Sequence, residues 1–257
     1  MRIGIIGGSG LYKIEGVEII KEIEINTPFG KPSDNYIYAK YKNFEIFFLS
    51  RHSREHSIPP HKINFRANIY GFKLLNVERI IGVSAVGGIT KKPGEIVITS
   101  DFIDFSKRVN TFYDGKKVIH IDVSEPFCPI LRNCLIESSK KLNIDVHSFG
   151  VYVQTEGPRL ETPSEIKMFR MMGADVVGMT LVSEAILSRE LEICYAGINV
   201  VTNYAAGIEG KKLTTKEVIE NMNKNLYKVQ SIILNAFDFI PVERNCPCSK
   251  ALEDTNM

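Results

Sequence analysis

The chain has 257 residues, 44% of them hydrophobic and 24% charged, with a formal net charge of +2 at pH 7. This composition excludes a disordered chain, and a charge so near balance excludes a broad nucleic-acid face, so any anion site has to be local. No apolar run approaches a membrane span, the start MRIGIIGGSG lacks a signal-peptide cleavage site, and five scattered cysteines make no secreted disulfide framework, so the expectation is a cytoplasmic protein that binds neither membrane nor nucleic acid.

Taken in chain order, strand signals fall at 2–6 (RIGII), 17–25, 36–41 and 44–50, the last two forming an antiparallel hairpin. A helical period over 64–76 leads to strands at 79–84 and 95–99. Helices at 130–142, 164–172 and 181–191 then alternate with strands at 146–153, 175–179 and 193–202. In the last helix Val218, Met222, Leu226, Val229, Ile233 and Phe237 share one stripe, with Thr214 or Thr215 as N-cap ahead of Glu217. The alternation predicts an α/β fold: a single-domain, three-layer α/β sandwich with a central mixed sheet flanked by helices. That domain spans 1–241, and 242–257 is a polar tail carrying Cys246-Pro247-Cys248. Ligands in such folds sit at the carboxyl ends of strands, so the loops after the strands are where chemistry is expected.

Two motifs mislead. GIIGGSG follows the first strand, but after Gly8 and Gly10 the sixth position of a dinucleotide fingerprint is Lys13, and a strand follows too early for the required helix. The glycine turn remains a good anion cradle through its backbone N–H groups and Ser9. HSREH at 52–56 matches a zinc-protease spacing, yet Pro59 and Pro60 forbid the helix that would put both histidines on one face. No metal site is expected there.

A better constellation lies at successive strand ends. Ser9, Arg51, His52, Ser84 and Thr180 each follow a strand, and a guanidinium fork with hydroxyls suits a phosphate. In VVTNYAAGI an apolar strand stops at Asn203, whose amide both donates and accepts, as the edge of a purine does. In TEGPRLETPSE, Glu161 or Thr162 can cap a helix with Glu165 as box partner, or Glu161 can face a ligand.

Together GIIGGSGLY, NTPFGKPSD, LSRHSREHSIPPHKINFRANI, SAVGGI, EPFCP, TEGPRLETPSEI, GADVVGMTLVSEA and VVTNYAAGI resemble the purine nucleoside phosphorylase and methylthioadenosine phosphorylase family, in order from residue 3 to about 240. The resemblance implies phosphorolysis, in which phosphate attacks the anomeric carbon of a purine nucleoside and leaves a free base and a sugar 1-phosphate. Phosphate is then a co-substrate, no cofactor or metal is needed, and the partners are a nucleoside, inorganic phosphate and other copies of the chain in a homotrimer, with a hexamer as the alternative. Carried over by position, Ser9, Arg51, His52, Ser84, Ala85 and Thr180 fall at the phosphate, and Met179 beneath the sugar.

For the base, relatives that cleave 6-aminopurine nucleosides carry Asp at the position of Asn203, a second Asp where Ala205 stands, and a small polar residue in place of Glu161. Relatives acting on 6-oxopurines carry Glu and Asn, as here. The chemistry agrees: Glu161 accepts from the N1–H of a 6-oxopurine, and the Asn203 amide serves its O6 and N7 as negative charge builds on the leaving base. Those two residues are the catalytic candidates. For the sugar, Thr215 stands where a His typically holds a 5′-hydroxyl, and Val218 and Ile219 would give an apolar wall suited to a methylthio group, unless they belong to the core stripe. His120 matches a position that closes a neighbouring subunit's pocket in methylthio-specific relatives. The favoured substrate is S-methyl-5′-thioinosine, with inosine and guanosine open. The alternatives are a methylthioadenosine phosphorylase or, in another class, a nucleoside sensor without turnover. Abundant Ile, Lys and Glu without Trp fits a high-temperature source, where cytosolic disulfides occur. The tail cysteines can therefore form a Cys246–Cys248 disulfide, pair with Cys194 or Cys134, or stay as inert thiols. One intervening residue is too few for metal ligation by that pair alone.

Overall fold

Hydrophobic runs too continuous to alternate must be buried on both faces, and RIGII, FEIFFLS and RIIGV are such runs. In a computed structural model, which describes residues 1–8, 16–115, 117–209, 214–253 and 255, they become adjacent strands at the centre of a sheet. The elements run β1 (Arg2–Gly7), β2 (Glu18–Ile23), β3 (Tyr36–Tyr41), β4 (Phe44–Ser50), α1 (Phe65–Leu74), β5 (Arg79–Gly88), β6 (Ile96–Ile98) and β7 (Asp101–Asp104). They continue α2 (Pro129–Lys141), β8 (Val151–Gln154), α3 (Pro163–Met171), β9 (Val176–Gly178), α4 (Leu181–Glu190), β10 (Cys194–Tyr204) and α5 (Thr215–Ala236).

The sheet has strand order β2-β3-β4-β1-β5-β9-β8-β7, with β10 paired to both β5 and β6. β1 is parallel to β4 and β5, and β10 runs parallel to β5, whereas β2·β3, β3·β4, β5·β9 and β6·β10 are antiparallel. One apolar cluster unites β1, β5 and β10 with α2 and α5, and a second unites the sheet with α1 and α4, which gives the three layers. α3 closes a third, smaller cluster against β8 and β9. No helix among the described residues is long and apolar enough to cross a membrane.

Differences from expectation have local causes. β7 has the sequence DFID, in which Phe102 and Ile103 are adjacent and half-buried between two exposed Asp residues, so no apolar alternation betrays it. The strand expected from 146 begins at Val151, because the chain before it makes only one bridge, Val97 to His147. β5 continues past Ser84 to Gly88, where a Cβ would meet the Lys91 carbonyl oxygen at 2.0 Å, so only glycine passes. The helix caps resolve two open choices. Thr162 caps α3 in a reciprocal box with Glu165, which frees Glu161, and Thr214 caps α5 through the Glu217 N–H at 3.2 Å.

The tail packs inward. Cys246 and Cys248 are buried, and Cys246 Sγ lies 3.3 Å from Cys194 Sγ. Cys134, one of the two expected partners, stands apart and donates to the Phe239 carbonyl at 3.3 Å. Cys128, at the N-cap of α2, stands beside the tail cysteines where Cys134 was expected.

Candidate active site

A cavity of about 960 Å³ opens where β5, β9 and β10 emerge from the sheet. Its size is within the range of ligand pockets. Arg51 and His52 reach it from the end of β4, Ser84 and Ala85 from β5, and Met179 and Thr180 from the turn between β9 and α4. Glu161 enters from the loop before α3, Asn203 from β10, and Val218 and Ile219 from α5. Gly8 lines the cavity, while Ser9 and the side chain of Thr215 lie outside the described residues. His120 is not at this cavity: it is exposed, and its backbone N–H donates to the Thr255 carbonyl at 3.4 Å.

Strand register sets the spacing. Ser84 pairs with Asn199 and Gly87 with Asn203, so the Ser84 level and the Asn203 level are three residues apart. At about 3.3 Å per residue that is roughly 10 Å, enough for a sugar to bridge the two ends.

At the Ser84 end the central group is Arg51, only 2% exposed. Its Nε and Nη2 grip Glu184, the second bond at 2.9 Å, while Nη1 donates to the Val83 carbonyl at 2.8 Å and Nη2 to that of Ile6 at 3.3 Å. The fork expected to face an anion is therefore closed on Glu184, and one of five N–H donors remains for a ligand. Burial opposes the Arg51 charge, but Glu184 more than offsets it and holds the pKa above its ordinary value. Glu184 is fully buried and also accepts from the Tyr195 hydroxyl at 2.6 Å. That approach requires Gly82, where a Cβ would sit 1.8 Å from the Tyr195 oxygen.

Around this pair the other polar groups differ in readiness. Thr180 begins α4 without using its side chain as a cap, because Gln154 Oε1 accepts from the Val182 N–H at 3.0 Å and the Ser183 N–H at 3.4 Å. Its hydroxyl is thus available to the cavity. Ser84 Oγ donates to Asn199 Oδ1 at 2.5 Å. His52 is neutral, its pKa pushed down to about 4 by burial and by the Arg51 charge. With its Nδ1–H donated to the Ile58 carbonyl at 2.8 Å, its Nε2 is an acceptor. HSREH itself is no helix: Ser53 and His56 have φ of 66° and 55°, and the His52 and His56 rings lie 4.6 Å apart.

At the other end, the register of β10 against β5 shifts by one residue between Val201 and Asn203. The extra residue, Thr202, breaks the alternation, so Thr202 and Asn203 both line the cavity. Asn203 Oδ1 accepts from Thr202 Oγ1 at 2.9 Å, and its Nδ2 donates to the Tyr204 carbonyl at 2.8 Å. One N–H and one lone pair of the amide remain, which is one donor and one acceptor side by side. Glu161 Oε1 accepts from Thr155 Oγ1 at 2.6 Å, which aims the carboxylate and leaves Oε2. Burial raises the Glu161 pKa above 4.5, outweighing the bond from Thr155.

The stripe of α5 divides. Val229, Ile233 and Phe237 are core, Met222 and Leu226 pack on that core and also line the cavity, and Val218 lines the cavity with Ile219 at its rim, 55% exposed. Asn221 Nδ2 docks this half of the helix on the Thr202 carbonyl at 2.6 Å. The site thus offers hydroxyls and one cationic N–H at one end, a donor–acceptor pair and a carboxylate at the other, and an apolar wall alongside. Sequence reasoning missed Glu184, Tyr195, Thr155 and Thr202, which hold the predicted groups in place.

The chain is similar to known proteins over nearly its whole length. The family model described as Phosphorylase superfamily matches residues 2–238. The chain is 51% identical to "Probable S-methyl-5'-thioinosine phosphorylase" of Thermodesulfovibrio yellowstonii, over 100% of this chain and 97% of that one. It is 46% identical to "S-methyl-5'-thioadenosine phosphorylase" of Nitrosopumilus maritimus, over 99% and 97% respectively. Among solved structures, a methylthioadenosine phosphorylase sourced from an antarctic soil metagenomic library is similar with a TM-score of 0.93 at 35% identity, covering 99% of this chain and 92% of that one.

Proposed function

We propose, from the premise that this chain belongs to the phosphorylase superfamily, that it is a purine nucleoside phosphorylase cleaving 6-oxopurine nucleosides, with S-methyl-5′-thioinosine favoured and inosine and guanosine as further substrates. The observation that supports the base assignment is that Glu161 and Asn203 both line the cavity, with Asn203 about 10 Å along the strands from Ser84. A phosphate oxygen forms a bond to the anomeric carbon as the bond to the base breaks, and the base leaves with the electron pair. Phosphate lies against Arg51, His52, Ser84, Ala85, Thr180 and Ser9, entering as co-substrate. The sugar lies over Met179. Asn203 donates towards O6 as charge develops there, an interaction stronger in the transition state than in the ground state.

Identity alone separates the two base specificities poorly, since relatives named for each lie within a few per cent of one another. Residues favour the 6-oxopurine reading, because by the family resemblance Asn203 and Ala205 stand where 6-aminopurine enzymes carry two Asp residues. Comparing kcat/KM for methylthioinosine, inosine, guanosine and methylthioadenosine at saturating phosphate is expected to rank methylthioinosine first and methylthioadenosine last. Faster cleavage of the adenosine analogue would reverse the assignment. The apolar wall of Val218 and Met222 supports the methylthio sugar. Tight nucleoside binding without release of base on adding phosphate would make the chain a sensor instead.

Glu161 adds a pH test. Its raised pKa means that, as pH falls through that value, the carboxylate gains a proton while ordinary carboxylates remain ionised. It then no longer accepts from the N1–H of a 6-oxopurine, and can donate to the bare N1 of a 6-aminopurine. The kcat/KM ratio of methylthioinosine to methylthioadenosine is expected to be highest well above this pKa and to fall towards acid, with Glu161→Gln flattening the profile. A ratio in the parent enzyme that does not change with pH would remove Glu161 from base recognition.

Residues 1–241 form the catalytic domain and 242–257 a tail in this reading. The chain works in the cytoplasm as a homotrimer, in which His120, exposed and away from its own cavity, reaches a neighbour's pocket.

A further inference from the structure

Far from the cavity, at the opposite end of β10, four buried cysteines converge. Cys194 begins β10, Cys128 caps α2, and Cys246 and Cys248 come from the tail. Their sulfur atoms all lie within 4.8 Å of one another. With nine residues of β10 separating Cys194 from Asn203, this group is roughly 30 Å from the base end of the active site. We propose that Cys128, Cys194, Cys246 and Cys248 bind one thiophilic divalent metal ion of the zinc class, as a structural site that clamps the tail to the sheet.

Three observations carry this. In a tetrahedral zinc–thiolate site with Zn–S near 2.3 Å the sulfurs stand about 3.8 Å apart. A set in which every sulfur neighbours the other three matches that better than two separate pairs. The second is charge. Four thiolates around a divalent ion carry a net negative charge, and Arg79 and Arg244 line the same small cavity as Cys128, Cys194 and Cys246. Arg244 Nε is buried without a hydrogen-bond partner, and Arg79 Nη1 has only a 3.6 Å ion pair with Glu78. Two disulfides are neutral and would leave the buried Arg244 N–H without an acceptor, whereas metal-bound thiolates supply one. Third, the Leu131 N–H donates to Cys128 Sγ at 3.4 Å, a backbone N–H to sulfur contact that stabilises a thiolate.

The sequence alone showed no such set, because Cys246 and Cys248 are too close together to ligate unaided and their partners lie far away in the chain. The fold supplies them. On binding, four thiols release four protons and form four metal–sulfur bonds, with no oxidant or reductant involved. All four ligands lie outside the catalytic machinery, and Cys134 is not among them.

The test uses the full chain purified without chelator. Elemental analysis is expected to find about one zinc per chain, and thiol alkylation after denaturation in chelator about five reactive cysteines. Exchange into cobalt(II) should give the charge-transfer and d–d absorption of a tetrahedral thiolate complex. Cys246→Ser and Cys248→Ser should each abolish stoichiometric metal and lower the melting temperature by roughly 10 °C or more, while Cys134→Ser keeps the metal. Should the serine variants fail to fold, the cobalt spectrum of the parent chain still decides. A metal-free chain with two disulfides overturns the proposal, as does a chain of free thiols that takes up neither zinc nor cobalt.

Discussion

Arg51→Ala is expected to destabilise the enzyme by on the order of 3–5 kcal/mol, the cost of removing one partner of a buried ion pair, and to weaken its use of phosphate sharply. Glu184 is fully buried and accepts from Arg51 and Tyr195, so without Arg51 it keeps only a phenolic donor. The remaining N–H of Arg51 is a charge-assisted donor, and such bonds contribute about 1.5–3 kcal/mol. Its loss alone implies a phosphate KM raised roughly 10- to 100-fold, with the nucleoside KM changed far less. A variant that removes the whole network, Arg51→Met with Glu184→Leu and Tyr195→Phe, separates the two roles. Replacing a buried pair with apolar residues of similar size is often neutral, so stability to denaturant should largely return while phosphate use does not. If phosphate saturation returned with stability, Arg51 would be a support of the fold and not a phosphate ligand.

The network shows which parts of the site the sequence displays and which it hides. Arg51, His52, Thr180 and Asn203 were legible because each interrupts an apolar run at a strand end or follows one, and such groups face the ligand end of an α/β sheet. Glu161 was open between cap and ligand until the family resemblance was drawn. Glu184 was not legible, because it sits inside the helical pattern LVSEAILSRE, where a carboxylate is indistinguishable from a solvated one until the fold buries it. Thr202 was hidden because a bulge breaks the two-residue alternation, and no local signal marks that break. β7 went unread because DFID, with two adjacent apolar residues between Asp residues, has no hydrophobic period. The cysteine cluster was hidden for a related reason: proximity among α2, β10 and the tail is created by packing, and pairing guesses reached Cys134 where the α2 N-cap brings Cys128 instead.

Asn203→Asp is expected to invert the preference for the base. In the proposed reading the available amide N–H of Asn203 meets O6 of a 6-oxopurine, whereas a carboxylate there would place negative charge beside a carbonyl oxygen that gains charge as the bond breaks. For a 6-aminopurine the same carboxylate accepts from the exocyclic NH₂, or, when protonated, donates to N7. Each mispaired buried group costs roughly 1–3 kcal/mol. With the lost donor and the new repulsion counted together, kcat/KM for methylthioinosine should fall on the order of 100- to 10,000-fold. The inversion should be incomplete in the single variant, because Glu161 still faces the bare N1 of adenine and Ala205 supplies no second carboxylate. Adding Ala205→Asp and Glu161→Ser should therefore raise methylthioadenosine turnover further. Thr202 Oγ1, which donates to Asn203 Oδ1 at 2.9 Å, can donate equally to a carboxylate oxygen, so the new side chain keeps its orientation and the comparison reads chemistry and not misplacement. Steady-state kinetics on both nucleosides, with melting temperatures to exclude a folding defect, gives the measurement. Equal losses on both substrates would mean that Asn203 shapes the strand end and does not read the base.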